Sequence, residues 1–446
     1  MTALLVSYVL VAAAQIISYG RLAPHALVLV LLGVGAGAWG AFSGRRDAST
    51  ASTPALVLGV AALILAAMAQ NPLTYCRVAW WPAAYLWSLL LALGLVASYL
   101  ADPGAAAPRW RAARFALLLL LVVGGRIAVP LLSPTPGEDV WVVQQEAAAA
   151  ALAGADPYSV AYSQIFSPET YEQFGYRSGF HYPPIALVPI VPAYALVGDV
   201  RWAYVVCELL LLAALWAWGG AGARGERRAG RELAVLLWGF NTSALFILEH
   251  SWNEPAGLAL LAGFLLASRR GRAWPAAVCL AAFFSWKQYT LLLFPLLLFL
   301  PSPGPVLVGF AALTAITYAP WIVTGPGGLV ASLMEPWRAH PRPDALSLAA
   351  LWLNVRQMTM PQWISALCLI GAMQVATARI ARDPRGLLLA LWTILAALFL
   401  TAKQSFCNYY YLMSYLTLAA ALLEGEAAAP RADAARPASP GPWTDR

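Results

Sequence analysis

Long apolar runs, separated by short polar breaks, set the pattern of this chain. Fourteen segments stand out: 4–20, 26–43, 55–70, 79–100, 115–132, 201–219, 233–248, 255–268, 273–286, 289–301, 305–323, 361–380, 386–402 and 408–423. Crossing a bilayer takes roughly 17–25 apolar residues in a helix, and most of these runs approach or reach that length. A backbone in lipid must satisfy its own hydrogen bonds, so such runs fold as helices. The pattern predicts an all-α polytopic integral membrane protein with about 14 transmembrane helices. One more stretch, 182–198 (YPPIALVPIVPAYALVG), is apolar enough to count but holds Pro183, Pro184, Pro189 and Pro192. Interior prolines delete helix hydrogen bonds and clash with the preceding turn. This stretch therefore reads as a broken juxtamembrane element on the outer surface. The segment 133–200 is then a first extracytoplasmic loop and 324–360 a second. The Ala- and Pro-rich tail 424–446 reads as disordered and cytoplasmic.

Composition agrees with the pattern. Of 446 residues, 61% are hydrophobic and 11% charged, against roughly 25% charged in soluble domains. That leaves no room for a soluble catalytic domain. The net charge of +7 is dispersed between apolar runs, which argues for membrane orientation and against nucleic acid as a partner. In this scheme the arginines at 45–46, 109–114, 224–231, 269–272 and 379–385 all fall on the cytoplasmic side, with both termini. The N-terminus lacks a basic region and a clear cleavage site, and is expected to be a retained first helix. Five scattered cysteines show neither metal-ligand nor disulfide spacing. There is no phosphate-binding GxxxxGK[ST] loop and no DxD pair, so nucleotide chemistry with bound magnesium is unsupported. An activated substrate on the outer face would be lipid-borne.

Candidate chemistry gathers at the predicted outer boundary. The stretch PTPGEDVWVVQQEA (134–147) follows the fifth apolar run almost immediately. Thr135, Pro136 and Glu138 spell a capping box, in which Thr135 caps the helix and Glu138 reaches back to it. Asp139 is not needed by that box. A carboxylate there gains from the helix dipole, and is also placed to take a proton from a bound hydroxyl. The helix should run to about Ala153 and stop at Gly154. The two lysines, Lys287 and Lys403, sit at outer helix ends, each followed by Gln. They snorkel to headgroups, or they hold an anion such as phosphate. Arg126 lies inside the fifth run and either snorkels or faces a cavity. Arg338, His340 and Arg342 form a basic patch in the second outer loop. Glu249, His250, Asn253 and Glu254 crowd the polar turn EHSWNE, which a helix hairpin needs in any case. His181 and Tyr182 precede the Pro-Pro pair, where a structural histidine is the plain reading. Tyr409 belongs to a Tyr triplet that fits an interfacial aromatic belt.

Taken in order, these features resemble the GT-C class of membrane glycosyltransferases, most closely the polyprenol-phosphate-mannose-dependent mannosyltransferases of glycosyltransferase family 87. Asp139-Val-Trp-Val142 is similar to the family's Asp-x-x-Val, and Gly154-Ala-Asp-Pro157-Tyr158 to its Gly-x-x-Pro-Tyr. Phe180-His-Tyr182-Pro183-Pro184 comes next. It is followed by a polar turn with Asn253, a span ending at Lys287, and an aromatic turn Phe406-Cys-Asn-Tyr409-Tyr410. The chain departs from the family in its four preceding spans and in Gln288 after Lys287.

The resemblance implies a GT-C-like module over 115–423, preceded by four additional transmembrane helices in 1–100. It implies Asp139 as catalytic base and a contribution from Lys287. Substrate-binding candidates are Lys287, Lys403, Arg338, His340, Arg126, Glu254, His181, Tyr182 and Tyr409. The expected activity is inverting transfer of a sugar, mannose by resemblance, from a polyprenyl-phosphate donor to a glycolipid or glycan acceptor. It would take place outside the cytoplasm at the plasma (inner) membrane, among membrane lipids, with no required cofactor and with a divalent cation left open. The alternative is a polytopic lipid or solute transporter.

Overall fold

A computed structural model describes residues 2–43, 52–101, 108–218, 226–300, 302–379 and 383–427. Among them every regular element is helical, apart from one isolated bridge between Arg21 and Ala345. The chain opens with α1 (Thr2–Ser18), α2 (Pro24–Phe42), α3 (Thr53–Met68), α4 (Trp81–Ala101) and α5 (Pro108–Leu132). The first long connection carries α6 (Asp139–Leu152), α7 (Pro168–Phe174) and α8 (Leu187–Val197). Then come α9 (Arg201–Trp218), α10 (Glu226–Gly239), α11 (Ser243–Glu249), α12 (Glu254–Arg269) and α13 (Ala273–Trp286). A 3-10 segment (Gln288–Phe299), α14 (Gly304–Thr324), α15 (Pro326–Arg338) and α16 (Leu348–Arg356) follow. The series closes with α17 (Gln362–Arg379), α18 (Pro384–Thr401) and α19 (Cys407–Ala427).

Each of the fourteen apolar runs carries helix, and 233–248 carries parts of two. Among the described residues six helices are long and apolar enough to cross a bilayer: α2, α4, α5, α9, α14 and α18. The pair α10–α11, bent by 44°, makes a seventh if taken as one span. The chain is thus an all-helical protein of membrane-embedded type. Most of the tail expected to be disordered lies outside the described residues, as do Arg45, Arg46, Arg224 and Arg382 of the basic clusters; α19 runs on to Ala427.

The fold divides into two compact units. Of the described residues, one comprises those of Met1–Leu132, Leu212–Phe246 and Pro343–Gly441; the other comprises those of Ser133–Leu211 and Ile247–Arg342. In the first unit α1 packs against α2, α3 and α19. Glycines let these helices close up, as small residues do between membrane helices. A Cβ on Gly33 would stand 2.7 Å from Val11 Cγ2, and one on Gly37 would meet Trp392 at 2.3 Å. The apolar run 233–248 breaks at Phe240–Thr242, and the turn takes up part of the end of α10, with the Phe240 N–H on Leu236 O at 2.8 Å and the Asn241 N–H on Trp238 O at 3.2 Å. Arg126 adds its donors to this end. It is 1% exposed and donates to Gly239 O at 3.1 Å and Trp238 O at 3.4 Å, as well as to Val122 O in its own helix at 3.1 Å.

The second unit holds most of the candidate site. Here α12 and α13 form a hairpin, α13 packs on α14, and α6 packs on α8. The prolines of 182–198 act as expected only at the start: a 3-10 turn at Pro184–Ala186 precedes α8, but the eleven-residue α8 holds Pro189 in its first turn, where a helix leaves its N–H groups unpaired, and Pro192 inside it. The capping box does not form. α6 starts at Asp139 rather than at Pro136; Glu138 is its N-cap residue and makes no side-chain cap bond. The start is displaced because Glu138 faces His250 across 3.7 Å, a contact that a local capping pattern does not encode. At its other end α6 stops at Leu152, and Gly154 takes the left-handed turn with φ +72°.

Candidate functional site

Asp139 occupies the first position of α6, where the helix dipole favours a negative charge. It is 8% exposed, and its Oδ1 accepts the Val140 N–H at 2.8 Å. Burial raises its pKa above the usual carboxylate range. The Val140 amide, a hydrogen bond from Glu138, and the charges of His181 and Arg342 work in the opposite direction without cancelling it. A buried carboxyl with an elevated pKa is a stronger base than a free aspartate once it is ionised. Tyr176 stays protonated, its pKa raised by burial and by the Asp139 charge.

Asp139 owes its position to the buried underside of α6. Gln144 Nε2 donates to Ser251 O at 2.8 Å, and Tyr204 OH donates to Gln144 Oε1 at 2.6 Å. Gln145 holds the start of α9 through the Val200 N–H at 2.9 Å. Arg201, fully buried, ion-pairs with Asp199 at 2.6 Å and donates to Ser133 O at 2.8 Å. Ser133 hydrogen-bonds Glu249. Ser251 itself adopts φ +59°, a left-handed conformation that costs a non-glycine residue about 1–3 kcal/mol. The turn EHSWNE is thus anchored directly to the helix that carries Asp139. The sequence does not mark Gln144, Tyr204 and Ser251 as a set, because no local pattern pairs Gln144 with partners 60 and 107 positions away.

A second cluster lies at the neighbouring helix ends. Glu254 begins α12 and is 2% exposed; Lys287 follows the last residue of α13 and is 7% exposed. The two form a buried ion pair. The Lys287 ammonium also stands 5.8 Å from the ring centres of both Tyr182 and Tyr289. Beside them Trp286 Nε1 donates to Asn253 O at 3.1 Å. Asn253 is 1% exposed, and neither its amide nitrogen nor its amide oxygen bonds a protein group. The two clusters are joined through 181–182: Gln288 hydrogen-bonds the His181 carbonyl, while His181 is one of the charges acting on Asp139. Tyr182, Lys287 and Glu254 therefore form one series of contacts within this unit, and the neighbouring His181 acts on Asp139 through its charge.

His181 has both ring nitrogens against backbone carbonyls, Nδ1 on Ser332 O at 3.1 Å and Nε2 on Arg177 O at 3.0 Å. Arg342 lies 4.0 Å over the Phe174 ring. His340 packs at Gly175, where a Cβ would come within 2.6 Å of its ring, and Arg338 is exposed in the last turn of α15.

The remaining candidates belong to the other unit. Arg126 holds the end of α10, Lys403 lies in the turn between α18 and α19, and Tyr409 packs on Phe399 with ring centres 4.8 Å apart. Burial lowers the pKa of Lys403. Among the described residues no three His, Cys, Asp or Glu side chains converge as a metal site. Comparison of the chain with protein-family models, with characterised proteins and with solved structures found no match.

Proposed function

We propose that the chain is an inverting glycosyltransferase of GT-C type, with about 14 membrane spans and an active site facing away from the cytoplasm. The observation that carries this reading is Asp139: a buried carboxylate of raised pKa, on a helix start that a separate hydrogen-bond network holds still. In the proposed step the Asp139 carboxylate takes the proton of an acceptor hydroxyl. The acceptor oxygen forms a bond to the anomeric carbon of a polyprenyl-phosphate sugar from the face opposite the leaving group. The bond from that carbon to the phosphate oxygen breaks, and polyprenyl phosphate departs with the electron pair. His181, Arg342 and Lys287 supply positive charge beside this path, and stabilising developing charge is commonly the largest catalytic contribution. Asn253 offers an amide to a sugar hydroxyl.

A transporter reading has one observation in its favour, the bent pair α10–α11, since broken helices line many transport sites. At the α10 end, however, Arg126 supplies the positive charge that a transported cation would bring. The deciding experiment incubates the purified protein with a polyprenyl-phosphate sugar and an acceptor glycolipid, and measures released polyprenyl phosphate. Release by the wild type and loss of about 10²–10⁴ in rate for Asp139→Asn are expected. Wild-type-like release by that variant sinks the assignment.

A further inference from the structure

The second unit contains a helix whose two faces have different addresses. α15 starts at Pro326, one residue after α14 ends at Thr324. Gly325 breaks the helix between them with φ −169° and ψ 71°. One face of α15 lies on the first long connection. A Cβ on Gly325 would stand 2.8 Å from Asp156 Oδ2, and one on Gly328 would stand 2.7 Å from Ser159 Oγ and 2.8 Å from Tyr158 O. Leu329 is 3% exposed, and Ser332 Oγ donates to Phe180 O at 2.9 Å. Positions 325, 328, 329 and 332 follow the helical repeat of one stripe.

The opposite stripe is apolar and uncovered. Val330 is 60% exposed, Met334 45% and Trp337 51%, with Arg338 closing the helix. Soluble surfaces rarely hold such a row without a use. The end of α14 is likewise apolar and uncovered, with Ile322 52% exposed and Val323 84%. α14 has the length and hydropathy of a membrane span, and only 6% of its apolar window is buried within the protein. At ~1.5 Å per residue, α15 is about 20 Å long, too short to cross a core of roughly 30 Å. A short helix tied by one residue to the end of a span, apolar on one side and ending in Trp-Arg, has the form of an interfacial helix.

We infer that α15 lies in the plane of the bilayer surface, with Val330, Met334 and Trp337 seated at the headgroup–acyl boundary of the leaflet in which α14 ends. Its occupant is phospholipid, because a single residue joins the helix that bears the exposed row to the exposed apolar end of a span. The lipid seat holds Ser332, and Ser332 O holds His181 Nδ1. The membrane surface thus becomes a wall of the candidate site. This inference holds whether or not the chain transfers a sugar.

The test uses the full chain in nanodiscs of phosphatidylethanolamine and phosphatidylglycerol. The photoreactive residue p-benzoylphenylalanine replaces Val330, Met334, Val323 or Glu172 in separate variants, and irradiated protein is weighed by mass spectrometry. Expected are adducts of one phospholipid at 330 and 334, as at 323, and none at the exposed polar position 172. Cross-links to a second copy of the chain at 330 or 334 overturn the inference. So does the absence of lipid adducts there while 323 is labelled. Failure at 323 as well removes the membrane seat of α14, and the inference falls with it.

Discussion

Arg126, inside α5, and Asp139, at the start of α6, are both buried charges, and their surroundings put them to opposite uses. Arg126 is surrounded by what it needs. The carbonyls of Gly239 and Trp238 accept its donors, and its charge suits the negative end of α10. It completes a broken helix. Asp139 is surrounded by what restrains it. Burial works against its charge, while His181 and Arg342 relieve the penalty only in part. Burial therefore does not by itself mark a functional charge. The distinguishing sign is whether the neighbours finish the group's chemistry or leave it waiting.

Substitutions sharpen or break this contrast. The largest effect is expected for Asp139→Asn, the loss of transfer described above, in a protein that still inserts and purifies. Next comes Lys287→Met. It leaves Glu254 charged in a site where it is 2% exposed, and removing one member of a buried pair costs about 3–5 kcal/mol. A large drop in thermal midpoint is expected, with most of it recovered in Lys287→Met combined with Glu254→Gln. An unchanged midpoint for the single variant would show that the pair is wet. Arg126→Leu keeps the apolar stem and removes the donors. It should cost about 1–3 kcal/mol for the Gly239 carbonyl that loses its donor and leave the rate per folded molecule unaltered. A collapse of rate in a normally folded Arg126 variant would end the contrast.

The smallest effect concerns the stability of Asp139→Asn. The native pKa of Asp139 lies above that of the unfolded chain. Folding therefore favours its protonated form, and ionisation weighs on the native state as pH rises through the native pKa. Asparagine cannot ionise. The variant should match the wild type in acid and melt higher at neutral pH, as read from thermal midpoints across that range. A lower midpoint at neutral pH would mean that the carboxylate is stabilising after all.

The helices themselves were legible in the sequence, because a lipid-facing backbone leaves few alternatives to helix. The run 4–20 became Thr2–Ser18, and 386–402 became Pro384–Thr401. The prolines likewise marked the break before α8. Local rules failed where a distant partner decided the outcome. The capping box at Thr135 loses to the Glu138–His250 contact. The run 233–248 breaks in two at a site where Arg126, more than a hundred positions earlier, adds its donors to the end of α10. Lys287 and Glu254 were each visible as candidates, but nothing in either stretch announced the other.

Their pairing sets a condition on the proposed reaction. A polyprenyl-phosphate sugar is a phosphodiester with one negative charge, so it would compete poorly with Glu254 for the Lys287 ammonium. The departing polyprenyl phosphate gains a second charge as its bond to the sugar breaks, and at that moment Lys287 would turn from Glu254 to the phosphate. Glutamine at 254 would remove the competition, and the product would then leave more slowly.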